Sequence, residues 1–298
     1  MKIYLQNSLK IKLAIFSLIT GAISVFITHF IAYFLIQILP NPALISLGIY
    51  GSNPHALKGF SAETALRSYP EVLLGIFKGD FGKTLDNTSV SQEIWNAIIF
   101  TGPRVFIVLI LLVLIVISVS YVTTKDEPRF HSLADFFAFL PAFVIPLVIF
   151  SILLPLGLLS RLQSTFLSEI FCILAIAITP IALVVSQTRA TTIVNIKSMH
   201  AKRHLSAGAS IFDMRTRLLR NLFIEISPTF EKIITTMLAY IIFAEPIFSL
   251  PGLGTTVVRA VRRSDLNLLL AAIFIYAIVI NSARILSNIT RELLKGKL

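Results

Sequence analysis

Few residues in this chain could do chemistry, and most of the candidate sets fail on spacing. Gly79, Gly82, Lys83 and Thr84 are the residue types of a phosphate-cradling loop, but that loop needs a glycine at position 77, which is Phe77. Asp80-Phe81-Gly82 has the form of a kinase metal-binding triplet and lacks both the catalytic loop and the glycine-rich loop that accompany it. Neither His-Glu-x-x-His nor Gly-x-Ser-x-Gly occurs, so zinc or serine hydrolysis has no residues to stand on. The one cysteine, Cys172, lies inside an apolar run, which excludes an internal disulfide and a cysteine-based zinc site and leaves a packed thiol. No cofactor or metal set emerges. The carboxylate that calls for explanation is Glu245, near membrane depth in an apolar run. A charge there costs on the order of 2–3 kcal/mol unless it is paired or hydrated, so Glu245 should cap a turn or pair with an arginine. The Pro251-Gly252-Leu253-Gly254 run that follows should stop the helix and turn it sharply, glycine supplying the positive φ.

The elements that must position these residues follow from composition. The 298 residues are 56% hydrophobic and 14% charged, where soluble domains average about 25% charged. The chain is therefore an integral membrane protein with the lipid bilayer as its solvent. A net charge of +11 could suggest nucleic acid in a soluble protein. Here the cations collect between apolar runs, where they set topology and meet anionic headgroups, and no nucleic-acid binding is implied. Apolar length predicts six transmembrane helices, over about 13–39, 105–124, 136–160, 166–187, 233–251 and 266–285. The first lacks the short core and cleavage site of a signal peptide. His29, within it, reads as a satisfied polar group facing other helices. Pro141, Pro146 and Pro155 in the third imply kinks whose freed carbonyls need partners from neighbouring helices.

Residues 40–102 form a long mixed loop, with short interfacial helices possible over 72–77 and 94–100. With both termini inside, 17 of the 26 lysines and arginines fall on the cytoplasmic side, as the positive-inside rule requires. Arg259, Arg262 and Arg263 stand against that rule, which suggests either an acidic partner or substrate outside or a solvated outer loop. The polar loop over 188–228 is cytoplasmic. In it Leu205, Ala209 and Phe212 stand at i, i+4 and i+7, so a short helix here carries a narrow apolar stripe for docking, the other reading being a solvated basic loop.

Glu245, Phe248, Pro251, Gly252, Leu253 and Gly254 together give Glu-x-x-Phe-x-x-Pro-Gly-Leu-Gly. That pattern resembles the signature of the inner-membrane permeases of binding-protein-dependent ABC transporters, specifically the dipeptide, oligopeptide and nickel permease family. Ala260-Val261-Arg262-Arg263-Ser264-Asp265 resembles a further segment of that family, with Ser264 in place of the usual arginine, which is nearest the Sap-type peptide permeases. Gly79-Asp80-Phe81-Gly82-Lys83-Thr84 is similar to the family's loop after the first span, and Leu39-Pro40-Asn41-Pro42-Ala43 to a degenerate form of its Pro-Gly-Asp-Pro. Gly208 and Ser210, then Leu219-Arg220-Asn221, match elements of the cytoplasmic motif that docks the ATPase, with Gly208 about one residue closer to Arg220 than in the family pattern.

The resemblance implies an all-α type I ABC importer permease in a bacterial inner membrane, not an enzyme itself. It implies coupling through Leu205, Gly208, Ser210, Phe212, Leu219, Arg220 and Asn221. It further implies extracytoplasmic contacts around Gly79 to Gly82, Glu245 to Gly254, Arg262 and Asp265. The expected partners are a second homologous permease, two ATPase subunits that hold ATP and magnesium, and an extracytoplasmic substrate-binding protein. The cargo would be a peptide or a polycation such as a polyamine. Two other classes remain at this point: a proton-coupled secondary transporter using Glu169, Asp135 or Glu245, and a scaffold that moves nothing.

Overall fold

The computed structural model describes residues 2–38, 62–123, 134–155, 165–208 and 210–295. The stretch from Leu39 to Ala43 lies outside the described residues. Among the described residues regular structure is helical, apart from one isolated antiparallel bridge between Lys83 and Ser89. The elements are α1 (Lys2–Ile38), α2 (Ala62–Phe77), α3 (Val90–Val122), α4 (Val144–Leu153), α5 (Thr165–Lys197), α6 (Met199–Ser206), α7 (Ile211–Ile226), α8 (Thr229–Ile247), α9 (Leu253–Arg263) and α10 (Leu266–Lys295).

Four of these helices, α1, α3, α5 and α10, are long and apolar enough to cross a membrane. The other two expected spans take different forms. The third is broken at Pro141, and among the described residues the ten of α4 follow as regular helix. The fifth is α8, whose 19 residues reach about 28 Å, close to a hydrocarbon thickness of roughly 30 Å, while carrying Glu231, Lys232 and Glu245. Lys232 is exposed at the start of the helix, Glu231 pairs with Arg284, and Glu245 is paired inside the protein. Ile233, Ile234, Met237, Leu238, Tyr240, Ile241, Ala244 and Glu245 are all buried, on a helix that packs against α9, α5, α10 and α4.

Helix α3 shows how lipid and core share one segment. Val90, Ile94, Ala97, Thr101, Arg104, Val108, Leu112, Val116 and Ser120 recur every three or four residues and form its buried stripe. Phe106, Ile110 and Leu114 on the other side are exposed. Both faces are apolar, as a helix set between a protein core and hydrocarbon must be. The helix begins at Val90, well before the expected start near Val105, and runs through Gly102-Pro103. Its first turns survive that breaker because Val90 and Ile94 are packed against Ala260, Leu268, Ala271 and Ala272. Tertiary burial there outweighs local propensity. In the same way α5 continues to Lys197, ten residues past the expected end of its span.

The kink at Pro141 finds its partners. Pro141 has no N–H for the carbonyl of Phe137, and Thr179 Oγ1 of α5 lies 3.1 Å from that carbonyl and 2.6 Å from the Tyr240 hydroxyl, its one proton shared between them. Tyr240 of α8 donates to the carbonyl of Leu140 at 3.2 Å. At the periphery α1 runs antiparallel to α10, with Ile285 seated against Gly21, where a Cβ would come within 2.7 Å of the Ile285 Cδ1. His29 is buried between α1, α2 and α10, 3.4 Å from the Tyr69 hydroxyl and edge-on to Phe274.

Candidate functional site

Glu245 is fully buried in the last turn of α8 and is held by three donors. Thr101 Oγ1 and Arg104 Nη1 donate to its Oε1 at 2.6 and 2.7 Å, and the amide of Gly254 donates to its Oε2 at 2.7 Å. The carboxylate thus caps the N-terminus of α9, where unpaired amides and the helix dipole favour negative charge. Both sequence expectations for Glu245, a capped turn and an arginine partner, are met by one side chain. The arginine is Arg104, which reads in the sequence as one more cation ahead of an apolar run. Its position gave a signal all the same: Thr101, Arg104, Val108 and Leu112 share one helical stripe.

Arg104 closes a larger network. Its Nε and Nη2 reach both oxygens of Glu169 on α5 at 2.6 Å, and Nη1 also donates to the carbonyl of Pro251 at 2.7 Å. The pairing with Glu169 is bidentate, the strong and geometrically specific form. Leu253 N donates to Thr101 Oγ1 at 2.8 Å. Four helices, α3, α5, α8 and α9, are therefore clamped at one point.

The signature residues around it have physical reasons. Phe248 is buried and stacked on Phe171. A Cβ on Gly252 would collide with the Glu245 carboxylate, and one on Gly254 would collide with the carbonyl of Ile241. Two residues supply positive φ here. Ser249 ends α8 at 55°, where the bonds Leu250 N to Glu245 O and Ser249 N to Pro246 O complete the cap, and Gly252 has φ of 158° in the turn itself. The glycines also serve close approach, since the α8–α9 elbow folds back on its own helix.

At the same end of the molecule the second and third motifs meet. Gly79 and Gly82 have φ of 74° and 82°, and Asp80 Oδ1 accepts from the Gly82 amide at 2.9 Å, making a tight turn ahead of α3. Asp265 is buried: its Oδ2 accepts from Leu85 N at 3.0 Å and its Oδ1 from Leu268 N at 3.1 Å. Asn267 Nδ2 donates to Lys83 O at 2.9 Å, and Phe81 packs on Phe274. Segments 180 residues apart in sequence thus form one structure. Of the three arginines, Arg259 pairs with Glu93 at 2.5 Å and Arg263 with Asp86, while Arg262 is exposed.

The segment expected to couple lies at the opposite end of α3. The short helix expected for the stripe of Leu205, Ala209 and Phe212 is divided into two helices, and Ala209 lies outside the described residues. Helix α6 carries Leu205 and ends at Ser206, Gly208 sits in the turn at φ +85°, and Phe212 belongs to α7. The break follows from Gly208, which takes a left-handed conformation that interrupts a continuous helix. Gly208, Ser210 and Phe212 are exposed, and space beyond Gly208 is open. Arg220 lies on α7; Leu219 and Asn221 beside it are half-buried, and Leu222 and Ile226 enter the main core. Along α3, α8 and α10, between the two ends, run two apolar cavities of about 260 and 320 Å³ that share Leu109 in their linings.

A family model described as the binding-protein-dependent transport system inner membrane component matches residues 128–297, more than half of the chain. The chain belongs to this family. No curated protein matches it. As a permease of this kind it is a multi-pass membrane transport component with the type I ABC permease fold. The match takes in Glu169, the elbow and α6–α7, and leaves Thr101 and Arg104 of the permease outside it. The proton-coupled alternative finds no support. Family membership places the permease among ABC transporters, Glu169 and Glu245 are both engaged by Arg104, and Asp135 accepts from Ser186 Oγ at 3.1 Å.

Proposed function

We propose that this permease contributes half of a pore through which peptides are moved by ATP hydrolysis on separate subunits. In this reading it has six spans and both termini in the cytoplasm of a bacterium. The α6–α7 segment docks on an ATPase through Leu205, Gly208, Ser210, Phe212 and the Leu219-Arg220-Asn221 stretch, and ATP and magnesium stay on that partner. A second, similar permease completes the pore. An extracytoplasmic binding protein delivers cargo at the end built from Gly79 to Gly82, the elbow, Arg262 and Asp265. The Ser264-Asp265 variant of the motif supports a likeness to the Sap-type peptide permeases.

One observation carries the reading. The coupling segment meets the 33-residue α3 in its last turn at Tyr121, the elbow meets it at Thr101 and Arg104 about 25 Å away along the axis, and the Gly79 to Gly82 turn lies farther still, ahead of Val90. A delivery face on one side of the bilayer and an engine face on the other need that separation. Peptide is preferred to polycation because the cavity linings along α3, α8 and α10 are apolar with a few hydroxyls and carry no carboxylate to solvate an ammonium group. Closure of the ATPase pair would rock the helices between inward-open and outward-open states.

The test is purification of the tagged chain from its native membranes, followed by uptake of a radiolabelled mixture of short peptides into vesicles holding the purified assembly. ATPase subunits and a second permease should come with it, and uptake should need ATP. Uptake driven by a pH gradient with no ATPase present overturns the proposal.

A further inference from the structure

The coupling segment is tied to α3 by a side chain outside every motif. Tyr121, in the last turn of α3, stacks on Phe212 of α7 with ring centroids 5.3 Å apart and planes at 27°. Its hydroxyl lies 3.0 Å from Thr216 Oγ1. Thr216 already gives its own proton to the carbonyl of Phe212 at 3.0 Å, so Tyr121 is the donor. This one residue therefore grips α7 by a ring and by a hydrogen bond one helical turn apart. The rest of Phe212 is open, 65% exposed.

Near its middle α3 carries Thr101 and Arg104, which hold Glu245 and the amide of Leu253. Seventeen residues of continuous helix, about 25 Å, separate Arg104 from Tyr121. A stiff rod gripped at two points carries displacement from one grip to the other, and coupling between distant sites travels through packed side chains and rigid elements of this kind. We propose that Tyr121 is a positioning residue that passes movement of the α6–α7 segment to α3 and so to the α8–α9 elbow. The proposal rests on the reading of α6–α7 as the ATPase-docking segment. The competing route leaves α3 out and runs from Leu222 and Ile226, in the second half of α7, directly into the core around α8.

The two routes separate in the whole assembly, purified with its partner chains and placed in lipid nanodiscs. Cys172→Ala removes the native thiol, and Val261→Cys puts a spin label on α9, where residue 261 is 58% exposed. In this parent, trapping with ATP and vanadate should change the label's spectrum. Tyr121→Ala should cut that nucleotide-driven change by about fivefold or more while ATP hydrolysis stays near the parent rate. Tyr121→Phe, which keeps the stack, should retain most of it. Tyr121→Leu preserves bulk without ring or hydroxyl; it should behave as alanine does and stands in if the alanine variant fails to assemble. An undiminished change in Tyr121→Ala and Tyr121→Leu, with a responsive parent, overturns the latch alone. A parent that hydrolyses ATP without any change at residue 261 overturns the docking reading and the latch together.

Discussion

Arg104 satisfies two carboxylates and a main-chain carbonyl with one guanidinium, at a depth where water is scarce. Truncating Arg104 leaves Glu245 buried and charged with only the neutral donors Thr101 and Gly254, a change worth about 3 kcal/mol, while the partly exposed Glu169 is rescued by water. Arg104→Ala should therefore lower the thermal midpoint of the detergent-purified protein sharply. Arg104→Lys should recover only part of the loss, because a point charge cannot grip Glu169 through two parallel bonds. If both variants melt with the native protein, the network is not what holds the elbow. Nearby, Gly252→Ala places a methyl against the Glu245 carboxylate and Gly254→Ala places one against the Ile241 carbonyl. Each should abolish accumulation of folded protein in the membrane. Gly102→Ala, whose Cβ meets nothing within 4 Å, should be well tolerated by the same measure.

Among the elements, α8 and α9 end alike. Ser249 and Ser264 both sit at φ 55°, and in each case the amide after the serine bonds back five residues, Leu250 to Glu245 and Asp265 to Ala260. A left-handed residue with a Cβ costs roughly 1 kcal/mol relative to glycine. Ser264→Gly should thus raise stability by about that amount in a reversible unfolding titration. A loss of stability would mean that the Ser264 side chain has a role the backbone does not disclose. The third span depends on its neighbours in a measurable way. Thr179→Val removes the donor that serves the carbonyl of Phe137 and the partner of Tyr240, and should cost about 1–3 kcal/mol. The sequence announced the need for such partners through Pro141 but could not name them, since they lie on two other helices.

For the whole molecule, what counts is that the elbow and the α6–α7 segment are held about 25 Å apart along α3, at Arg104 and at Tyr121. Gly208 faces open space at φ +85°, so its replacement tests docking more than packing. Gly208→Trp should abolish co-purification of the ATPase while membrane insertion is unchanged. Gly208→Asn, which tolerates the left-handed conformation, should keep the association. Normal assembly of the tryptophan variant would argue against docking at this turn.

Membrane residence, four of the long helices and the polar segment between α5 and α8 could be read from sequence because they depend on composition and on periods of a single helix. The signature residues Glu245 to Gly254 were legible because they lie within ten consecutive positions and match a family pattern, although their partners Thr101, Arg104 and Phe171 were not. Pairings across the chain could not be read. Arg104 with Glu169 and Glu245, Asp265 with the Leu85 amide, and Tyr121 with Phe212 each join helices whose order in space no local pattern encodes. Nor could the start of α3 at Val90 be foreseen, because burial against α9 and α10 overrides the breaker at Pro103. In a chain apolar on almost every face, hydropathy tells which segments leave water. Only the tertiary structure decides which face of each meets lipid and which meets protein, because hydrocarbon and core solvate a leucine equally well and the choice falls to the few polar groups that must find one another.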